Sequence, residues 1–129
     1  MKVIQINLVG QKALKKSIKK WERVVASWEE ARKHGATYPE YSGRGVYGCG
    51  MCEKYMLDTV YEERCNKCPV GLDTGGKYCQ LTPYGYYERN TTYRLAKREL
   101  SYLKNLESRC EVVKGLRSNR VKEEEHGQA

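Results

Sequence analysis

From Gln11 to about His34, the residues Leu14, Ile18, Trp21, Val25 and Trp28 recur at steps of four, three, four and three. That spacing lines them along one face of a helix with 3.6 residues per turn. One face is therefore buried, and Lys12, Lys15, Lys16, Lys19, Lys20 and Arg23 fill the remaining surface. Gly35 stands where a left-handed residue ends such a helix. Ahead of it, Lys2 to Val9 alternates, with Ile4, Ile6 and Leu8 on one side, the period of a short strand. Its partner is sought near Val46-Tyr47 or Lys77 to Leu81, which leaves room for a small two- or three-stranded sheet beside the middle of the chain.

A second long helix reads most clearly from about Thr92 to Lys114. Ala96, Leu100, Leu103, Leu106, Cys110 and Val113 form its apolar stripe, Asn90 or Thr91 caps its start, and Gly115 stops it. On that stripe Cys110 reads as a small buried hydrophobe. Thr82-Pro83 has the form of a cap followed by proline at the first helical position, starting a short turn of helix through Tyr87. The two long helices are expected to pack on each other, with Trp21, Val25 and Trp28 facing Leu100, Leu103 and Leu106.

Between these elements the periodicity stops. Residues 35 to 48 are rich in Gly, Tyr, Pro and Ser and read as a loop, Lys54 to Glu63 has the pattern of a short helix, and Pro69 with the glycines at 71, 75 and 76 enforces turns. The expected organisation is one zinc-stabilised domain over 1–116 and a flexible tail over 117–129. Within the domain lie a strand (1–9), a helix (10–34), a metal module (45–82) and a helical segment (83–114). The fold class is mostly α, two long amphipathic helices flanking a loop-rich four-cysteine site.

The metal reading rests on cysteine spacing. Cys49-Gly50-Met51-Cys52 and Cys65-Asn66-Lys67-Cys68 share the same internal step, and Cys79 follows closely. Two residues between cysteines let one tight turn aim both sulfurs at a tetrahedral ion, with Zn–S distances of about 2.3 Å. Pair spacing and ligand softness favour structural zinc over an iron–sulfur cluster, disulfides or a redox dithiol. Cys49, Cys52, Cys65 and Cys68 are the preferred ligands because adjacent pairs close the smallest loops, with Cys79 as the alternate. Neither pair has the Cys-Pro-x-Cys-Gly form of common zinc ribbons. Gly71 to Tyr78 nearly spells a phosphate-binding loop, but Tyr78 stands where a Mg²⁺-binding Ser or Thr is needed and no clear strand precedes it.

Composition narrows the picture further. With 40% apolar residues, eleven Tyr and no Phe, the core is small, and most aromatic rings carry a hydroxyl better suited to rims and interfaces. The net charge of +8 is uneven: residues 1–34 hold nine Lys/Arg against three Glu, whereas 35–82 hold five against six acids. The positive field thus belongs to the first helix, where lysines in the opening turns oppose the helix dipole. No run approaches the roughly 18 to 20 apolar residues of a membrane span, and Met1 to Gly10 lacks the pattern of a secretory leader, so the expected location is cytoplasmic.

Ser17-Ile18-Lys19-Lys20-Trp21-Glu22, the two Cys-x-x-Cys pairs, Cys68-Pro69-Val70, Gly76 with Cys79, Thr82-Pro83-Tyr84 and the Leu-rich helix occur in one order over residues 14 to 110. In this it resembles a family of small phage-encoded cysteine-rich zinc-binding proteins to which no reaction is assigned. The resemblance implies that the five thiols act as a unit and that the protein works inside a bacterial cell.

Two non-enzymatic roles follow. One is binding of nucleic acid or its machinery, with Lys12, Lys15, Lys16, Lys19, Lys20 and Arg23 on phosphates and Arg44, Tyr41 and Tyr47 stacking on bases. The other is occupation of a host protein, such as a defence factor, through aromatic anchors in loop 38–48 and at Tyr84 to Tyr87. No nucleophile and base pair up in the sequence, and a metal filled by four thiolates has no open position for water. No small-molecule substrate or membrane partner is expected, and both monomer and homodimer stay open.

Overall fold

In the computed structural model, which describes residues 2–44, 68–75 and 82–122, Asn7 decides where the first helix begins. Its backbone is extended and its side-chain Oδ1 accepts the Gly10 N–H at 2.8 Å, so α1 runs over Leu8–Lys33. The expected strand is accordingly shortened to β1, Ile4–Ile6. Leu8 and Val9 continue the alternating pattern past the cap, but they lie in the first turn of α1 and are exposed. A good N-cap outweighs two more residues of alternation. At the other end Gly35 takes φ +70°, as the sequence suggests. Its N–H donates to Arg32 O and that of Ala36 to Ala31 O, closing the helix with a Schellman motif.

Three further helices follow among the described residues: α2 (Pro69–Asp73), α3 (Pro83–Arg89) and α4 (Tyr93–Ser108). Helix takes up 59% of the described residues, which makes the architecture mostly α with a small sheet. The Thr82-Pro83 start is found as the spacing predicts. For α4 the cap is Thr92, whose Oγ1 accepts the Leu95 N–H, rather than Asn90 or Thr91; Thr91 instead donates its hydroxyl to Tyr87 O.

The end of α4 corrects the sequence reading. The apolar spacing continues through Cys110 and Val113, yet the helix stops at Ser108. Ser108 Oγ donates to Asn105 O at 2.6 Å, and the Arg109 N–H is shared between Asn105 O and Leu106 O, tightening the last turn. Cys110–Val112 then forms β2, and after a turn containing Gly115 at φ +82°, Arg120–Val121 forms β3. Gly115 therefore shapes a loop between strands, and Cys110 is a half-buried strand residue rather than part of a helix stripe.

The sheet order is β2-β1-β3. β1 pairs parallel with β2, Ile4 opposite Cys110 and Ile6 opposite Val112, and antiparallel with β3, Ile4 opposite Val121. Parallel neighbours need a long crossover, which here is the whole run from α1 to α4. Both partners come from the C-terminal segment. Val46-Tyr47 and Lys77 to Leu81 lie outside the described residues, as does the helix pattern at Lys54 to Glu63.

Nor is the segment from Arg117 to Lys122 a loose tail. Buried Asn119 accepts the Asn7 N–H on Oδ1 at 2.9 Å, and Asn7 Nδ2 donates to Leu116 O and Arg117 O. Gly10 is small for this reason: a Cβ there would come within 2.8 Å of Asn119 Oδ1.

α1 and α4 run antiparallel. Lys104 meets Glu22 at 3.8 Å, and farther along the pair the Tyr93 hydroxyl donates to Glu29 at 3.1 Å. The predicted stripe of Leu14, Ile18, Trp21, Val25 and Trp28 is buried with Ala96, Leu103 and Leu106, while Leu100 is half-buried at the edge. Trp21 stacks edge-on against Tyr84 and Tyr87 at 5.8 and 5.1 Å. Tyr87 is fully buried, against the expectation that tyrosines line rims, because its hydroxyl is satisfied twice. It accepts from Trp28 Nε1 at 3.0 Å and donates to Ser42 O at 2.6 Å, tying α1, α3 and the 38–44 loop together. Among the described residues no helix is long and apolar enough to cross a membrane.

Candidate nucleic-acid interface and metal-ligand positions

The cations of α1 separate into two groups once the helix is packed. At about 100° per residue, Lys12, Lys16, Lys19 and Arg23 fall within an arc of roughly 60°, opposite Trp21, and Lys15 lies about 40° beyond its edge. All five are exposed. Their line is about 16 Å long, from eleven residues at 1.5 Å rise. Among the described residues no carboxylate lies in ion-pair range of Lys12, Lys15, Lys19 or Arg23.

Lys20 belongs elsewhere. Only 6% of it is exposed, so it leaves the predicted phosphate-contacting face. It sits on the flank where the 38–44 loop crosses the helix. Gly43, at φ +71°, presses so closely that a Cβ on it would overlap Val24 Cγ2 and approach Lys20 Cε at 3.3 Å. The ammonium lies 5.4 Å from the Trp21 ring and 6.0 Å from that of Tyr84. Among the described residues Lys20 Nζ has no hydrogen-bond partner.

The stacking candidates also divide. Tyr41 is half-buried, its backbone N–H donates to Ser27 Oγ at 2.9 Å, and Arg23 Cζ lies 4.1 Å above its ring. Arg44 is tied to α3, with Nε 3.6 Å from Glu88 Oε2 and Nη2 donating to Glu88 O at 3.3 Å, while its side chain stays 51% exposed. Tyr47 lies outside the described residues.

Of the five candidate metal ligands, Cys68 alone falls among the described residues; Cys49, Cys52, Cys65 and Cys79 lie outside them. Cys68 is buried at the N-cap of α2, with Pro69 at the first helical position. Its side chain makes no capping hydrogen bond to the first turn of α2. No three His, Cys, Asp or Glu side chains converge as a metal set among the described residues. Gly71 belongs to α2, so the near phosphate-loop pattern starts inside a helix rather than after a strand.

The far end of α2 is clamped by groups that the sequence does not announce. Arg109 grips the Asp73 carboxylate at 2.6 and 3.2 Å, and Tyr102 donates its hydroxyl to Asp73 Oδ2 at 2.7 Å. Lys2 Nζ donates to Leu72 O and Asp73 O, and Arg109 Nη1 to Lys2 O. Burial raises the Asp73 pKa, but hydrogen bonds from Arg109 and Tyr102 with the charges of Arg109 and Lys2 prevail and hold it below the ordinary carboxylate value. Burial and the bond to Asp73 push the Tyr102 phenol well up, and burial pushes the Cys110 thiol to about 11. Asp73 lies 36 residues from Arg109, too far for any local pattern to pair them.

No protein-family model, curated protein or solved structure matches this chain.

Proposed function

We propose that this protein is a non-enzymatic, zinc-stabilised module that binds nucleic acid through the exposed cations of α1. The exposed stripe carries the reading: Lys12, Lys16, Lys19 and Arg23 share one helix line, opposite the buried tryptophans, with Lys15 beside them. Such a row displaces counterions from phosphates, so affinity falls steeply as salt rises. Zinc is proposed on the spacing of Cys49, Cys52, Cys65 and Cys68, with Cys79 as the alternate ligand. The resemblance to phage-encoded cysteine-rich proteins supports a gene product acting in the bacterial cytoplasm.

Two measurements test the proposal. Metal analysis of protein purified without chelator is expected to find one zinc per chain, and its absence removes the metal. Fluorescence anisotropy with labelled DNA and RNA over a salt series is expected to show binding that Lys15→Glu with Lys19→Glu weakens while the melting temperature holds. No affinity for any of these probes at low salt would refute the nucleic-acid reading.

A second reading, a protein-binding regulator of a host factor, is supported by Tyr38 and Tyr86, which stand 46% and 56% exposed. Exposed tyrosines of this kind serve as interface anchors. Binding to a host protein that resists salt and is lost on Tyr38→Ala with Tyr86→Ala is the outcome that favours it.

A further inference from the structure

Resting on the nucleic-acid reading above, we infer that the α1 stripe is a seat for single-stranded nucleic acid. The backbone follows Lys12, Lys16 and Lys19, and one base stacks on the outer side of the Arg23 guanidinium where it covers Tyr41. Three observations lead there.

The first is the floor beneath Arg23. Its Cζ lies 4.1 Å from the Tyr41 ring centroid while the residue stays exposed, so the guanidinium rests against an aromatic ring and remains within reach of a ligand from solvent. A guanidinium is planar and delocalised, and unpaired bases stack on such planes. The Tyr41 N–H bond to Ser27 Oγ fastens the ring's backbone to α1 itself, so the platform and the cation line share one rigid support.

Position is the second. Arg23 closes the line that Lys12, Lys16 and Lys19 begin, which puts a stacking surface at one end of a backbone track. That combination of cations and a stacking plane is how single strands are held without sequence readout. In a duplex the base faces are covered by their neighbours, and a platform of this kind adds nothing to its binding.

The third is how the other cation–aromatic contacts are occupied. Arg32 and Lys97 both lie over Tyr93, but the Tyr93 hydroxyl is bonded to Glu29, placing a carboxylate inside that cluster. Lys20, over Trp21 and Tyr84, is buried, and Arg89, over Tyr86, belongs to α3 rather than to the α1 cation line. Glu22, next to Arg23 in sequence, is turned toward Lys104. Among the described residues, the Arg23–Tyr41 contact is the cation–aromatic pair that stands on the exposed cation line of α1.

The test is anisotropy of the full chain with a labelled single strand and a duplex of equal length, each over a salt series. The single strand is expected to bind about tenfold more tightly at low salt. Arg23→Lys keeps the charge and removes the plane; it should lower single-strand affinity by roughly tenfold, the worth of one stacked base, without changing the salt slope. Lys19→Ala should instead reduce the slope by about 0.7, the single-strand value for one phosphate. Tyr41→Phe keeps the floor and should bind like the parent, while Tyr41→Leu should behave like Arg23→Lys. Melting curves of each variant are expected to match the parent, and a variant that fails to fold is replaced by the other member of the pair. Equal affinity for duplex, or an Arg23→Lys protein that binds the single strand unchanged, overturns the inference and leaves the basic-helix reading standing. No binding to either probe at low salt removes both.

Discussion

Arg109 and Lys2 at one end of the molecule, and Lys12, Lys16, Lys19 and Arg23 along α1, are cations put to opposite use. Arg109 and its Asp73 partner are each 12% exposed at the side chain, and the carboxylate accepts three hydrogen bonds. The α1 cations are in water. Burial with a good partner makes a charge part of the architecture, because removing either member leaves the other uncompensated in a poor solvent. Exposure leaves a charge available to an outside anion and adds little to stability. The same residue types thus carry different information depending on what stands opposite them.

The contrast predicts a graded set of outcomes, and the largest is at the clamp. Arg109→Ala should cost about 3 kcal/mol, read as a lower denaturation midpoint in urea, because the Asp73 carboxylate loses its countercharge and two of its three hydrogen bonds. A cost near zero would mean that the clamp behaves like the surface charges and would erase the distinction. pH sharpens the same point. Since the folded-state pKa of Asp73 is lowered, its contribution is present above the unfolded carboxylate value near 4 and is lost as pH falls through the folded value. Asp73→Asn should therefore flatten the acid limb of the stability profile.

Lys20 is the intermediate case, buried like Arg109 but without a hydrogen-bond partner among the described residues. Replacing it with Met keeps the stem packed against Gly43 and removes the ammonium, so Lys20→Met should raise stability by about 1 kcal/mol. Nucleic-acid affinity and its salt slope should stay as they were. A fall in the melting temperature would show that the aromatic rings around Lys20 compensate its charge fully. The smallest effect on stability is expected on the stripe: Lys12→Ala and Lys19→Ala should each change it by less than about 0.5 kcal/mol, while each reduces the salt slope of binding.

How much of this is readable in the sequence depends on how far apart the deciding residues lie. The α1 stripe, the Gly35 stop and the Thr82-Pro83 start are local patterns, and the structure follows them. The end of α4 is not local. Cys110 and Val113 keep the helical spacing, and what ends the helix is the Asn105–Ser108–Arg109 turn together with the pull of Asp73 on Arg109. Likewise the sheet partners of β1 lie more than a hundred residues away, where the 117–129 segment looks merely polar. Of the candidate site, the row of cations is legible because it repeats along one helix. That Lys20 drops out of it is not, since its burial follows from Gly43 closing over its stem.

The sheet also sets an order of events for a chain emerging from a ribosome. Ile4 is made more than a hundred residues before its two neighbours, Cys110 and Val121. At about 5 to 20 residues per second, β1 waits on the order of ten seconds with its edges open, and so does the Asn7 contact with Asn119. The long helices can pair in that interval; the first strand cannot. A nascent chain stalled before Arg120 would present Ile4 and Ile6 uncovered on one side, so translation to Val121 is the step that closes the fold.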